Sequence, residues 1–234
     1  MKPLFFLLWM VGLLFSATTW AANCPGHPQL RIEGGTDLEV QETCRSFKKI
    51  TVFFAEMGIK TDDNLTLHFK DIVYLPGENE NTENRTPVYG YFDTDTREIH
   101  LMHFASPDQE HRSAWGLTWT HELASSFLLH EMTHLVVTSY LGADFKRLAR
   151  PWHEAIAYAV QLELMPVAQQ KEVLSRQKDL VADPFTDVRS VNIMSYAVDP
   201  DAFAVRVFAA IKKWGGREFI KKVLDNQIPG TEEE

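Results

Sequence analysis

The chain has 234 residues, 45% of them hydrophobic and 24% charged, which is ordinary for a globular protein and excludes collagen-like, coiled-coil and disordered classes. Lys and Arg number 23 against 32 Asp and Glu, for a net charge of −9, which argues against a nucleic-acid binder, since such a protein needs a basic face to displace counterions. Two cysteines exclude both a disulfide scaffold and an all-cysteine zinc site.

Residues 1–21 read as a signal peptide. Lys2 opens the segment, an unbroken apolar run follows from Leu4 to Phe15, and small residues close it at Ala21-Ala22. The run is too short to span a bilayer, so the expectation is cleavage after Ala21 and a soluble, exported product, periplasmic or secreted, with no stable membrane anchor. Loss of Lys2 takes the net charge to −10, leaving residues 22–234 as a single domain. An oxidising compartment favours a bridge between Cys24 and Cys44 over two separate thiols.

In chain order, Gln29–Glu33 reads as a strand ended by Gly34-Gly35, and Asp37–Met57 carries apolar residues at helical spacing with Gly58 as its stop. Asn64–Phe69 alternates strictly, which predicts a half-buried strand, and the polar stretch Gly77–Thr86 predicts a surface loop. Val88–Phe92 and Glu98–Met102 flank Asp93–Arg97 as a hairpin. Past Pro107 the pattern turns helical: His121–Leu141 closed by Gly142, then Pro151–Met165. Residues 176–200 read as irregular, with Pro184 and Pro200 as breakers, before helices around Phe203–Ile211 and Phe219–Leu224. The fold class is α+β: a small N-terminal mixed sheet with a helix, then a helical half.

Within the first long helix, residues 130–134 read His-Glu-Met-Thr-His. Positions i and i+4 share one helix face, so His130 and His134 can meet one metal ion, and Glu131 can lean over a water at that ion as general base. Leu128-Leu129 and Leu135-Val136-Val137 flank the motif and predict a buried helix, where unpartnered imidazoles and a carboxylate would be costly. A catalytic zinc takes three protein ligands. Glu154 follows in Pro151-Trp-His-Glu-Ala-Ile-Ala-Tyr158, and a short turn at Gly142-Ala-Asp would fold its helix back and bring that carboxylate to the metal. His153 is the weaker candidate, because its neighbour on the helix points about 100° away.

These residues resemble the gluzincin metallopeptidases, represented by thermolysin and aminopeptidase N-type enzymes, which combine His-Glu-x-x-His with a glutamate on the next helix. The metzincin extension is excluded, since Val137 and Tyr140 stand where it needs Gly and His. The resemblance implies a zincin-like fold, one Zn2+ held by His130, His134 and Glu154, a catalytic Glu131, and hydrolysis of a peptide or protein substrate. The order Ser195-Tyr196, apolar helix, Gly215-Gly216 and short helix is similar to small gluzincin-like domains, which implies Tyr196 as the phenol that steadies the oxyanion. It also implies that the strand bearing His100 and His103 runs along the bound peptide, against the plainer reading of solvated histidines. Two departures leave the partner of the ligand histidines unassigned: Tyr158 and Gln161 stand where thermolysin-like enzymes and aminopeptidases respectively carry acids. Lys146, Arg147 and Arg150 read as a solvated basic turn, with substrate-carboxylate binding as the alternative. The competing function is an inactive gluzincin-like metal-binding module that docks a partner. Oligomeric state, cleavage specificity and endo- versus exopeptidase action do not follow from the sequence.

Overall fold

The computed structural model describes residues 21–76, 87–105 and 113–231. The signal reading of residues 1–21, apart from Ala21, and the loop reading of residues 77–86 lie outside them. The α+β expectation holds: a mixed sheet with one helix comes first, and a helical half follows.

The sheet has the order β1-β2-β3-β5-β4, from β1 (Ala21–Cys24), β2 (His27–Glu33), β3 (Leu65–Lys70), β4 (Gly90–Asp93) and β5 (Glu98–Met102). β2–β3 and β3–β5 are parallel, while β1–β2 and the β4–β5 hairpin are antiparallel. Strict alternation decides which face is dry. Leu30, Ile32, Leu65, Leu67, Phe69, Ile99 and Leu101 are all buried on the side that meets the helices.

Helix α1 (Asp37–Ala55) connects β2 to β3 and lays Phe47, Ile50, Phe53 and Phe54 on that face. Its start is fixed by a capping box: the Thr36 hydroxyl accepts from the Glu39 N–H, and the Glu39 carboxylate accepts from the Thr36 N–H at 2.8 Å. The same carboxylate accepts from the Phe104 N–H at 2.8 Å and meets His103 Nδ1 at 3.1 Å, so one buried acid ties the helix start to the chain leaving β5. Cys24 and Cys44 are bridged, which staples β1 to α1 as expected.

A two-stranded ribbon, β6 (Ser113–Ala114) and β7 (Leu117–Thr118), precedes α2 (His121–Leu141). The α2 bounds match the sequence reading, with Thr120 as N-cap and Gly142 at φ 55 as C-cap. From Leu123 to Val137 all but His134 of α2 is buried, because the helix lies between α1 with the sheet on one side and α3 (Arg150–Leu164) on the other. Its missing polar face is the reason the motif is flanked by apolar residues. A 3-10 turn over Gly142–Arg147 reverses the chain into α3, and Pro151 sits in the first turn of that helix.

Beyond α3 come α4 (Val167–Arg176), α5 (Lys178–Ala182), α6 (Ile193–Val198), α7 (Pro200–Trp214) and α8 (Arg217–Leu224). The irregular segment expected at 176–200 is corrected here: it contains α5 and α6, each under two turns, too short to register as a period. Pro200 opens α7 rather than breaking a helix, with the Asp199 side chain as N-cap to Ala202 at 2.9 Å. α7 packs on α3, and Trp152 closes that layer against Trp214 and Phe219. Among the described residues no helix is long and apolar enough to cross a membrane.

Candidate metal centre

Three side chains converge between α2 and α3. His130 Nε2 and His134 Nε2 are 3.1 Å apart, and Glu154 Oε2 lies 3.4 Å from the first and 3.8 Å from the second. Ligands about 2.0–2.2 Å from a tetrahedral zinc stand about 3.3–3.6 Å from one another; the 3.4 Å edge falls in that range, and the 3.1 and 3.8 Å edges lie about 0.2 Å to either side of it. Two ring nitrogens and a carboxylate oxygen at this spacing, within the protein interior, need a shared cation between them, a proton or a metal ion. This is the group among the described residues that could hold a metal ion.

Each donor is placed by an ordinary local cause. His130 and His134 are one helical turn apart on α2, and Glu154 comes from the second turn of α3, which the 3-10 reversal lays alongside. His130 Nδ1 donates to Gln161 Oε1 at 3.1 Å, and Gln161 Nε2 donates to Ser126 Oγ at 3.0 Å. That chain commits the proton of neutral His130 to Nδ1 and leaves Nε2 as the lone-pair nitrogen facing the centre. Gln161 is fully buried and fills the position that the motif comparison left open. The Tyr158 ring packs edge-on to His130 with centroids 4.5 Å apart and fixes the plane of the imidazole.

Burial and mutual attraction set the charges. Burial opposes ionisation of Glu154, but His134 and His130 beside it outweigh that and hold its carboxyl well below the usual range. Burial pushes His134 down to about 3, so it presents a neutral imidazole. Both are protonation states that metal ligation requires, whereas His130 is raised: burial lowers it, but its hydrogen bond to Glu154 and the Glu131 and Glu154 carboxylates outweigh that and favour a proton where an ion would sit. Glu131 is buried beside the centre; burial pushes its carboxyl up to about 7, opposed by His130 and by the Phe92 backbone N–H of β4. Burial, and then the Glu154 carboxylate toward which its hydroxyl is aimed, hold Tyr196 well above an ordinary phenol.

His130, Glu131, His134, Glu154, Tyr158 and Tyr196 all line one cavity of about 1030 Å3, whose other walls are β4, the β6–β7 ribbon and the reversal before α3. The sequence-predicted residues His130, Glu131, His134, Glu154 and Tyr196 are thus brought together. His153 is not part of the group: its Nε2 meets the Phe145 carbonyl at 3.1 Å.

A family model described as a family of unknown function, DUF6639, matches residues 30–232. The chain belongs to the DUF6639 family. The DUF6639 match runs from β2 to the C-terminal segment and takes in every residue of the centre. No curated protein and no solved structure matches the chain.

The histidines of β5 are placed differently from the expectation. β5 is an interior strand of the sheet, paired on both sides, so it cannot run along a bound peptide; β4 is the edge strand on that side, and β1 the edge on the other. Neither histidine is merely solvated. His100 is buried and stacks on His68 at 4.9 Å, and His103 is held by Glu39. Gln161 is the residue that sequence reasoning left unassigned. Its signal was its offset from Glu154, two helical turns on along the same face of α3.

Proposed function

We propose that this chain is an exported, zinc-dependent peptidase of gluzincin type, with His130, His134 and Glu154 as the zinc ligands. The observation that carries the reading is the convergence of those three donors with Glu131 on the wall of the same cavity. A His2Glu donor set suits a hydrolytic zinc, which leaves a fourth position for water or substrate. When bound, the ion would supply Lewis acidity, polarising a carbonyl and lowering the pKa of a water at that position to about 7.

The chain's own residues do the rest. Glu131 takes the proton from the attacking water at its carboxylate and delivers it to the leaving amine, while the Phe92 N–H orients the carboxylate. Tyr196 keeps its hydroxyl proton and donates it as a hydrogen bond to the oxygen on which charge develops. Gln161 and Tyr158 hold His130 in one tautomer and one plane. β4 is an edge strand beside Glu131, so its outward backbone groups can pair with an extended substrate chain. The buried walls at Trp115 and Phe127 limit the access of bulk water.

Glu131→Gln separates chemistry from ligation. The variant is expected to retain its zinc and to lose cleavage of a denatured protein or peptide library by at least about 10²-fold. Undiminished cleavage by this variant overturns the assignment of Glu131. Zinc-loaded wild type that cleaves no library member favours the partner-binding module instead.

A further inference from the structure

Glu154, Tyr158 and Gln161 follow one another at intervals of four and three residues, which puts all three on one side of α3. Two of them occupy the ring nitrogens of His130. Glu154 lies 3.4 Å from Nε2, and Gln161 meets Nδ1 at 3.1 Å. The Tyr158 ring stands edge-on to the same imidazole, with centroids 4.5 Å apart, and leaves both nitrogens to the other two side chains. Gln161 therefore does the orienting work that an acid at position 158 would otherwise do, and the Tyr158 hydroxyl is not needed for it.

The ring itself is held from three directions, by His130, by Phe203 of α7 at 6.3 Å and by Tyr196 at 6.5 Å between centroids. Its hydroxyl has no hydrogen-bond partner among the described residues, and it is not one of the polar atoms sealed in the interior without one. Tyr158 is only partly buried and lines the cavity with Glu131, Glu154 and Tyr196, so the hydroxyl opens on that cavity. A tyrosine this enclosed ordinarily finds its partner within the protein. Burial, then Tyr196 and the Glu154 carboxylate, hold the phenol well above an ordinary tyrosine, so it meets a charged ligand oxygen as a donor.

We infer that Tyr158 is a second phenolic donor of the centre, its hydroxyl hydrogen-bonding beside Tyr196 to the substrate oxygen on which charge develops. The role rests on the peptidase reading for the identity of that oxygen. Two hydroxyls that each lie about 2.7 Å from one acceptor can stand up to about 5 Å apart, a span that two phenols with centroids 6.5 Å apart can meet. They come from separate elements, Tyr158 from α3 and Tyr196 from α6, so neither has to move for the other to bond. An acid at position 158 would repel the same oxygen, whereas a phenol that keeps its proton stabilises it.

The test titrates zinc-loaded protein with a hexapeptide in which a phosphonate replaces the central amide, so that a tetrahedral, anionic group stands in for the charged oxygen. Tyr158→Phe keeps the ring against His130. Its circular dichroism, zinc content and zinc affinity by chelator competition are expected to match wild type, while phosphonate-peptide binding weakens at least about tenfold, as loss of one charge-assisted hydrogen bond would give. In a Tyr196→Phe background the same substitution is expected to weaken binding again, because the two hydroxyls act separately. Four results overturn the proposal: no binding of the phosphonate peptide by wild type, equal binding by Tyr158→Phe, a loss that comes with weakened zinc affinity, or no further loss once Tyr196 is Phe. Cleavage of a peptide library separates the two readings. Wild type that binds the phosphonate peptide through Tyr158 yet cleaves nothing overturns the peptidase reading and leaves the phenol as a binding residue. Cleavage at equal rates by wild type and Tyr158→Phe, with equal phosphonate binding, does the reverse.

Discussion

At the scale of single residues, the centre depends on a neutral amide doing work that a carboxylate does in the proteins the motif resembles. Gln161 accepts from His130 Nδ1 and is itself held by Ser126, whose hydroxyl donates to the Leu123 carbonyl at 2.7 Å. An amide fixes the tautomer without adding charge, so it orients the ligand while raising its basicity less than an acid would. Gln161→Ala is expected to weaken zinc binding by about 10–100-fold with the fold intact, as measured by competition with a chelator. An affinity unchanged by that substitution would show that His130 is oriented by packing against Tyr158 alone. The site was legible where chemistry dictates spacing: His130, Glu131 and His134 follow from one helical turn, and Glu154 from the reversal after Gly142. Gln161 was not assigned, because its offset from Glu154 puts it on the same helix face but does not distinguish an amide turned to a ligand from one packed in a core.

At the scale of elements, Glu39 is the joint between α1 and the sheet. Burial raises the cost of its charge, but the Thr36 and Phe104 N–H groups, His103 and the Thr36 hydroxyl together hold its carboxyl below the usual value. A lowered folded value means that the stabilisation is complete above the unfolded value near 4.5 and is lost as pH falls through the folded one. His100 bears on an adjacent window. Burial, then Lys70 and His68, push it down to about 4, so the unfolded chain takes up a proton first as pH falls from about 6.5 toward 4. Urea unfolding as a function of pH is expected to show stability declining below about 6.5 and more steeply below 4.5. Glu39→Gln should flatten the lower part and His100→Gln the upper part. A Glu39→Gln curve superimposable on wild type would remove Glu39 from this role.

The same scale shows what the pattern of residues could and could not reveal. The α2 bounds and the β4–β5 hairpin were readable because caps and turn residues mark them: Thr120 and Gly142 in one case, Asp93–Arg97 in the other. Helices α5 and α6 were not, since five and six residues complete no apolar repeat. Strand β1 went unread because Ala21 and Ala22 served the signal reading, and the pairing of Ala22 with Ile32 depends on a partner strand rather than on a local pattern. Glu39 read as one polar residue of a helix start, while two of its partners stand 64 and 65 residues away.

At the scale of the molecule, a thin sheet and a helical half are joined by α2, so stability and ligation are coupled through one helix. The Cys24–Cys44 bridge closes a short loop at the far edge of the sheet and is expected to contribute about 3 kcal/mol. Reduction should therefore lower Tm by about 6–12 °C, read by calorimetry in matched buffers with and without a phosphine reductant. A Tm unmoved by full reduction would mean that the sheet edge holds without the staple.

Ligation draws on the opposite side of α2. An ion that binds the folded chain alone stabilises it by mass action, about 2.7 kcal/mol at a hundredfold excess over Kd. The most direct measurement is the zinc content of purified wild type beside His130→Ala, His134→Ala and Glu154→Ala, by mass spectrometry under non-denaturing conditions and by elemental analysis. The expected result is one zinc per wild-type chain, a rise in Tm on adding zinc to chelated protein, and loss of both in each variant. Wild-type protein that takes up no zinc, or a Glu154→Ala variant that holds it as tightly as wild type, would contradict the three-residue centre.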